Sequence, residues 1–295
     1  MKDNLTGSAL MVAAMLGFAV EDALFKSATA TVSPGLGTLL FGSTGLLIFA
    51  TLSRLSAESI WPRGLFEGAM LWRSGFELTG RLFFALALAF APLSLTSAIL
   101  QAAPLAVTAG AALVLGERVG MSRWVAMAVG FLGVLLILRP WGAAFTPALI
   151  FALLGMIGFA GRDLATRASS PTLSWRQLGT SGFAMVVVAG ALITLFEPAS
   201  QGPDPRAAVR LIAAGCVGTC AYTALTGAMR TGEISVVAPF RYSRLLFALV
   251  LAFLLFGERP DVLTLLGCVL IVGSGIYTLI GSGKARRSGV SDGRP

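Results

Sequence analysis

VVAPFRYSRLLFALVLAFLLFGER, residues 236–259, decides how the rest of the chain is interpreted. Its uncharged part, residues 245–256, covers only about half of the roughly 20 residues that a helix needs to cross a bilayer. A helix that spans the membrane here must therefore carry Arg241 and Arg244 into it. Because a guanidinium group is costly at that depth, both side chains are expected to face a water-filled cavity or an anionic partner. The stretch predicts a membrane protein built around a polar interior.

The composition of the whole chain supports this interpretation. The 295 residues are 56% hydrophobic and 12% charged, with a mean hydropathy of +0.84, whereas soluble domains are usually about a quarter charged. The net charge of +8 is spread over short loops and the tail, which argues against a nucleic-acid surface. Histidine is absent and the three cysteines lie in apolar runs without metal-ligand spacing, so no metal or cofactor is predicted.

Apolar segments separated by proline, glycine and charged residues predict an all-α integral membrane protein of ten transmembrane helices. The predicted ranges are 8–30, 35–52, 70–91, 95–115, 124–138, 147–167, 178–196, 207–229, 236–256 and 262–280. The first helix is expected to be retained, because Glu21, Asp22 and Lys26 interrupt what would otherwise resemble a signal peptide. A cytoplasmic amino terminus places most of the 22 Lys and Arg residues, Arg73 among them, on the cytoplasmic side. Both termini are therefore predicted to be cytoplasmic.

Two sequence matches share one offset of 141 residues. MLGFAVEDALFK at 15–26 aligns with MIGFAGRDLATR at 156–167, and LVLGER at 113–118 aligns with LLFGER at 254–259. Five predicted helices fit into this offset, and an odd number makes the second half enter the membrane from the opposite side. The chain is thus predicted to consist of two inverted five-helix repeats, an architecture typical of alternating access.

These features resemble the EamA-type branch of the drug/metabolite transporter superfamily. The likeness rests on the five-plus-five arrangement, on Gly-Glu-Arg at the end of the fourth and ninth helices, and on Pro104 and Pro239 within those helices. It covers about residues 10–280 and implies a central cavity that opens alternately to either side of a bacterial inner membrane. The predicted units are a first repeat at 1–141, a second repeat at 142–281, and a disordered basic cytoplasmic tail at 282–295.

Positions where the two halves differ are the best candidates for substrate binding, because a transported molecule is itself asymmetric. The alignment pairs Glu21 with Arg162 and Gln101 with Tyr242, and it pairs Arg241 and Arg244 with apolar residues. We predict that Arg241, Arg244 and Tyr242 bind a substrate carboxylate or phosphate, because a guanidinium offers a bidentate fork. Gln101, Tyr222 and Arg162 are predicted to complete the lining. The alternative is that one arginine simply neutralises Glu21 or Asp163 across the bundle.

Buried carboxylates supply a second hypothesis. Glu21 and Asp22 are the candidates for proton coupling, since a carboxylate inside the membrane can exchange a proton as a cavity opens. Uncoupled exchange or facilitated diffusion needs no such group. Three pairs at i,i+4 spacing are interpreted as structural ion pairs instead: Asp22 with Lys26, Asp163 with Arg167, and Glu77 with Arg81.

The predicted function is secondary transport of a small organic metabolite, such as an amino acid, and not catalysis. No phosphate-binding loop of the ATPase type is present, so ATP is not the expected energy source. The resemblance slightly favours export; the alternatives are an uptake permease for a nucleotide-like or vitamin substrate, and a non-transporting channel or scaffold. The expected partners are the substrate and the lipid bilayer, and the apolar outer helices leave a homodimer open.

Overall fold

The computed structural model describes residues 2–66, 68–116, 119–139, 146–168, 173–198, 202–231 and 234–291, which form helices and turns without a β-strand. The helices are α1 (Lys2–Ala28), α2 (Pro34–Leu55), α3 (Ala69–Phe90), α4 (Leu93–Leu100), α5 (Ala103–Val114), α6 (Met121–Leu138), α7 (Ala148–Ala168), α8 (Trp175–Leu195), α9 (Pro205–Thr231), α10 (Ile234–Val237), α11 (Ser243–Phe256) and α12 (Val262–Ser291). Short 3-10 helices cover Arg63–Phe66 and Ala238–Tyr242. The predicted all-α membrane class is confirmed.

Within the described residues, eight helical segments are long and apolar enough to cross a membrane. Two further helices complete the ten predicted spans. α3 is long enough but carries Arg73, Glu77 and Arg81, and the apolar part of α12 covers Val262–Tyr277. The protein is therefore a multi-pass membrane protein whose third span is unusually charged, and that charge has to be matched inside the bundle.

The fourth and ninth spans are each broken near the middle. The fourth consists of α4 and α5, which residues 101–102 separate, and the ninth consists of α10, the 3-10 helix Ala238–Tyr242 and α11. The 141-residue offset carries α4 onto residues 234–241, so the two breaks occupy equivalent positions. Pro104 lies in the first turn after the break of the fourth span, and Pro239 lies in the first turn of the 3-10 helix that precedes α11. Proline lacks a backbone N–H and clashes with the preceding turn, which explains why neither span continues as one helix.

Helix packing relates the two halves of the chain to each other. α1 packs along α9, and their equivalents in the repeat, α7 and α3, also pack along each other. α2 packs against α8 and α6 against α12, so each of these pairs is formed by equivalent helices. The fold is therefore two inverted five-helix repeats. The predicted border between 141 and 142 falls among residues 140–145, outside the described part of the chain, and stays a prediction.

The Gly-Glu-Arg motifs end their spans with a glycine in the left-handed conformation. Gly116 has φ +68° and Gly257 has φ +65°, values that glycine adopts without steric cost. Each glycine turns the chain out of its helix. Glu117 and Arg118 of the first motif lie outside the described residues.

Glu258 of the second motif caps a different helix. Its carboxylate accepts hydrogen bonds from the backbone N–H groups of Leu93 (2.8 Å) and Ser94 (2.9 Å) and from the Ser94 hydroxyl (2.6 Å). These are the first residues of α4, whose N–H groups have no partner within the helix. The carboxylate thus joins the end of the ninth span to the start of the fourth.

Other polar contacts hold together the helix ends near Glu258. We call this end of the bundle the Glu258 end; α1, α3 and α11 end there and α4 begins there. Lys26 Nζ donates to the carbonyl oxygens of Leu88 (3.2 Å) and Ala91 (2.5 Å) at the end of α3. Lys26 therefore caps α3, where the sequence predicted a partner in Asp22. The Arg139 guanidinium pairs with Asp261 and holds the pKa of that carboxyl well below its usual range.

Glu258→Ala is expected to lower the free energy of unfolding by about 1–3 kcal/mol, because it leaves two N–H groups and a hydroxyl without their acceptor. Thermal unfolding of the purified protein in detergent measures the loss. Arg259→Ala is the matched control, since the neighbouring Arg259 is exposed, and it should change the melting temperature little. Equal melting temperatures for the two variants would show that the cap contributes nothing.

The last helix is longer than the sequence predicted. α12 continues to Ser291, whereas a disordered tail was predicted from residue 282 onward. Elongating an existing helix avoids the cost of nucleating a new one, and Lys284 and Ala285 favour a helix, whereas Gly283 and Gly289 do not. Residues 292–295 lie outside the described residues.

Candidate functional site

Nine charged side chains meet inside the bundle and form what we call the central charge cluster. They come from α1, α3, α7 and the ninth span: Glu21, Asp22, Arg73, Glu77, Arg81, Arg162, Asp163, Arg241 and Arg244. Four of them are carboxylates and five are guanidinium groups, so their formal charges sum to +1. A cluster of this size inside a membrane is expected to be functional, because unpaired charges are expensive there.

Glu77 lies at the centre of the cluster and is only 2% exposed. Arg81 Nε donates to its Oε1 at 3.0 Å, Arg162 Nη1 is 3.4 Å from its Oε2, and Arg73 Nη2 is 3.8 Å from the same oxygen. Three guanidinium groups thus surround one carboxylate. Arg73 also donates to the Thr166 hydroxyl at 3.2 Å, which links α3 to α7.

The cluster extends from Glu77 in two directions. On one side Arg81 Nη1 is 3.8 Å from Glu21 Oε1. On the other side Arg162 Nη2 donates to Asp163 Oδ1 at 2.7 Å, and Asp163 Oδ2 is 4.0 Å from Arg241 Nη2. The charges alternate in sign along this path, so each interior member is flanked by opposite charges.

A separate ion pair joins α1 to α11. Arg244 Nη2 donates to Asp22 Oδ2 at 2.6 Å, and the Asp22 side chain is 2% exposed. The guanidinium also lies over the rings of Phe18 and Phe84, at 5.2 and 5.8 Å from their centroids. Arg244 therefore neutralises a carboxylate across the bundle, although that carboxylate is neither of the two named in the sequence-based alternative.

A small cavity of about 30 Å³, room for about one water molecule, lies beside the Glu21 side of the cluster. Its charged lining consists of Glu21, Asp22 and Arg81, and its aromatic lining consists of Phe25, Phe41 and Phe84. Small-molecule sites typically combine a mostly apolar wall with a few polar groups that orient the ligand. This cavity has that composition.

The two broken spans touch each other at the cluster. Gln101 Nε2, at the break of the fourth span, donates to the Arg241 carbonyl oxygen at 3.2 Å, at the break of the ninth span. Binding sites in transporters with inverted repeats are typically formed where discontinuous helices meet near the middle of the membrane. The breaks place Arg241 at such a junction.

The residues that the sequence proposed for substrate binding do not all lie together. The cluster contains Arg241, Arg244, Arg162 and Glu21. Tyr222 is close enough to Arg162 for the two side chains to interact electrostatically. Tyr242 is directed elsewhere: it is 5% exposed and its phenol packs against Gly275 of α12. Neighbouring residues on a helical turn point in different directions, so the side chain that follows Arg241 cannot share its face.

Sequence reasoning missed four members of the cluster as site residues. Glu77, Arg81 and Asp163 were interpreted only as parts of structural pairs, and Arg73 was placed with the cytoplasmic loops. Arg73 is instead 4% exposed, inside α3. The available signal was the spacing of residues 73, 77 and 81, which puts three charges on one face of a helix.

The cluster breaks the repeat symmetry that the surrounding helices keep. At the 141-residue offset, Glu77 corresponds to Gly218 and Arg81 corresponds to Tyr222. Gly218 is packed against the Glu21 carboxylate, since an added Cβ would lie 2.7 Å from Glu21 Oε2. The position equivalent to Glu77 therefore carries no side chain. The carboxylate of Glu21 occupies the space that a side chain at Gly218 would take.

Comparison with known proteins shows which family the chain resembles. Residues 144–280, most of the second repeat, match the EamA-like transporter family. A solved crystal structure has the same fold with a TM-score of 0.63 at 22% sequence identity, and the match covers 94% of this chain and 98% of that chain. The second half of the chain thus resembles the EamA-like transporter family, and the findings support an EamA-type permease of the drug/metabolite transporter superfamily. The resemblance predicted from the repeat and the Gly-Glu-Arg motifs is confirmed.

Several relatives of this protein carry transporter names. It is 29% identical to a riboflavin transporter of Vibrio cholerae over 91% of both chains. It is 25% identical to an S-adenosylmethionine uptake transporter of Rickettsia prowazekii, over 76% of this chain and 71% of that protein. It is 29% identical to a pseudopaline exporter of Pseudomonas aeruginosa, over 90% of this chain and 93% of that protein. These names support a small-molecule transporter, a non-enzymatic role.

Proposed function

We propose that the protein is a bacterial inner-membrane secondary transporter for a small organic molecule with a carboxylate or phosphate group, and that Arg241 binds this group. The observation that carries the proposal is the weak pairing of Arg241. Its side chain is 36% exposed, and the ion pair found for it is the 4.0 Å contact with Asp163. The cluster also holds one more guanidinium than carboxylates, a balance that an anionic ligand would neutralise.

The position of Arg241 supports the same proposal. It lies at the junction of the two broken spans, where Gln101 contacts its carbonyl oxygen. If the two repeats rock against each other, groups at this junction can be exposed alternately to the two sides. Arg244 is assigned a structural role instead, because its 2.6 Å pair with Asp22 already satisfies its charge.

Arg241→Gln tests the proposal in a thermal-shift screen of the detergent-purified protein against carboxylates and phosphates. A ligand that binds the folded state raises the melting temperature. We expect at least one such compound to stabilise the wild type and to bind roughly 10-fold or more weakly to Arg241→Gln, since a hydrogen bond between charged groups contributes about 1.5–3 kcal/mol. The unliganded melting temperature of this variant should change little.

Arg139→Gln is the matched control for this experiment. Arg139 pairs with Asp261 at the Glu258 end, away from the cluster, so its substitution should leave ligand binding unchanged. Stabilisation by cations alone, unaffected by Arg241→Gln, would overturn the proposal.

Transport itself requires reconstitution. Relatives are named both for uptake and for export, and the sequence slightly favours export. Vesicles with the protein in each of the two orientations test the direction of transport. Saturable uptake with counterflow of the stabilising compound is expected for a carrier, whereas a channel or scaffold would not show counterflow. With both termini proposed to be cytoplasmic, the Glu258 end faces away from the cytoplasm.

Proton coupling is proposed for Glu21 in preference to Asp22, because Asp22 is held in the pair with Arg244. The charged groups that face Glu21 are Asp22 on its own helix, Arg81 of α3 and Arg244 of α11, while α9 presents Gly218. An imposed pH gradient is expected to drive transport by the wild type but not by Glu21→Gln. Transport that ignores the gradient in the wild type would remove this role.

A further inference from the structure

We propose that Glu258 is the latch of a gate: its carboxylate holds the start of α4 against the end of α11 and so closes the route from the Glu258 end to the central charge cluster. This inference rests on the proposed transport function and goes beyond it, because it assigns a conformational role to residues outside the binding site. It depends neither on the chemical class of the substrate nor on the role of Arg241. With both termini proposed to be cytoplasmic, the gate lies on the extracytoplasmic side.

The two halves of the broken spans are packed differently, although the repeat makes them equivalent. Toward the Glu258 end, α4 packs against α11. The 141-residue offset relates α11 to α5, and it relates α4 to α10 and the 3-10 helix Ala238–Tyr242. In the part of the chain that the structure describes, α5 makes no comparable contact with either of these two segments. The broken spans are therefore joined at the Glu258 end and separated at the opposite end.

Burial follows the same asymmetry. Seven of the eight residues of α4 are buried. Ile99 is fully buried, whereas its equivalent Phe240 is 42% exposed, and Leu100 is 7% exposed, whereas the side chain of its equivalent Arg241 is 36% exposed. Inverted repeats exchange such an asymmetry between their two halves when they rock. The structure thus represents the conformation in which the Glu258 end is closed and Arg241 is reached from the opposite end.

Three hydrogen bonds make up the latch. Glu258, which follows α11, accepts from the N–H groups of Leu93 (2.8 Å) and Ser94 (2.9 Å) and from the Ser94 hydroxyl (2.6 Å). A negative charge at the first turn of α4 also interacts favourably with the helix dipole. Lys26 adds a second connection, since its Nζ donates to carbonyl oxygens at the end of α3 and lies 5.6 Å from the ring centroid of Phe256, the last residue of α11.

A cavity of about 350 Å³ borders the latch at the Glu258 end. Its lining includes both latch residues, Ser94 and Glu258, together with Arg139 and Leu149. This volume lies within the range of small-molecule sites. When α4 and α11 separate, water in this space can bond to the freed N–H groups and to the carboxylate. Opening the latch therefore costs less than separating the buried ion pairs of the cluster.

Ser97 provides a reporter of the contact between α4 and the ninth span. It lies on the same face as Ser94, which contacts Glu258, and as Gln101, which contacts the backbone of Arg241. Ser97 is 2% exposed, and its hydroxyl has no hydrogen-bond partner among the described residues. Ser97→Cys therefore places a thiol at this interface without removing a hydrogen bond.

The rate at which a charged, membrane-impermeant methanethiosulfonate reagent modifies Ser97→Cys measures the opening of the gate. The reagent is applied to intact cells and to inverted vesicles, and the protein without this change gives the background from its three native cysteines. In cells, modification should be slow and should become roughly 10-fold or more faster when Glu258→Ala is added, because hydrogen bonds to a charged group are lost. Ser94→Ala removes one of the three hydrogen bonds and should give a smaller acceleration.

Glu197→Ala is the matched control. Glu197 follows α8, and its carboxylate accepts from the Gly35 N–H (3.0 Å) at the start of α2. The substitution therefore removes the same kind of cap at the same end of the bundle, but it does not alter α4 or α11. Modification of Ser97→Cys should stay slow in this variant.

Three outcomes would overturn the gate. Equal acceleration by Glu197→Ala and Glu258→Ala would show a general loosening, and no acceleration by Glu258→Ala would show that the cap only stabilises α4. Acceleration in inverted vesicles alone would place the opening on the wrong side. If Glu258→Ala does not fold, Ser94→Ala decides by the same criteria.

The accessibility measurement needs no substrate, so the gate and the proposed function can fail separately. Acceleration by Glu258→Ala, without any carboxylate or phosphate that stabilises the protein, supports the gate and removes the anion proposal. A bound anion whose affinity falls in Arg241→Gln, without acceleration by Glu258→Ala, supports the proposed function and removes the gate.

Discussion

Glu77→Gln is expected to destabilise the protein by about 3–5 kcal/mol, the largest effect of any single substitution proposed. The change removes one charge from a carboxylate that Arg73, Arg81 and Arg162 surround within 3.8 Å. Removing one partner of a buried ion pair leaves an uncompensated charge, which costs more than the pair contributed. Here three guanidinium groups lose their common partner. Glutamine keeps the shape of the side chain, so the effect reports charge and not packing.

Thermal unfolding in detergent, with the yield of monodisperse protein, measures this loss. Glu197→Gln is the matched control, because Glu197 contacts a backbone N–H near the surface and, in the part of the chain that the structure describes, faces no comparable group of arginines. A Glu77→Gln protein as stable as the control would mean that the three arginines are compensated without Glu77, and the cluster as described would be wrong.

Gly158→Val is expected to have the second largest effect on stability, because it forces α7 away from α3. A Cβ at Gly158 would lie against the backbone of Gly80 and 3.1 Å from the Phe76 carbonyl oxygen. Overpacking typically costs about 1–3 kcal/mol, and we expect a loss at or above the top of that range here, because the obstacle is backbone, which cannot rotate away. α3 and α7 carry five members of the cluster, so the separation also lengthens their ion pairs.

Gly75→Ala provides the control on the same helix. A Cβ at Gly75 meets nothing within 4 Å, and alanine is about 1 kcal/mol more favourable than glycine inside a helix. Its melting temperature should equal or exceed that of the wild type, while that of Gly158→Val should fall. Similar behaviour of the two variants would show that the α3–α7 contact is looser than the structure indicates.

Part of the candidate site was predictable from local sequence alone. Arg241 and Arg244 were predicted to lie in the site because the apolar run that follows them is too short to span the membrane. Glu21 was predicted because it differs from its repeat partner, Arg162. Tyr242 was predicted to join them and instead packs against Gly275. Spacing indicates which side chains share a helix face, but it does not indicate which neighbouring helix that face meets.

The sequence alone did not predict that Glu77 contacts three guanidinium groups at the centre of the cluster. Its i,i+4 partner Arg81 was visible, but the approach of Arg162 depends on the close packing of α3 and α7, which are separated by more than 50 residues of chain. The pairing of Asp22 with Arg244 in place of Lys26 likewise depends on α11 lying beside α1. Long-range contacts of this kind select one partner among several that have suitable charge.

The sequence by itself determined the membrane class, the ten spans and the inverted repeat. Each of these follows from hydrophobic length or the 141-residue offset, and all are local or periodic properties of the chain. Only the tertiary structure decided which charges are compensated and which remain available, namely Glu21 and Arg241 at the ends of the path. The physical reason is that the state of a buried charge depends on distances of a few ångströms to groups on other helices, and helix packing alone sets those distances.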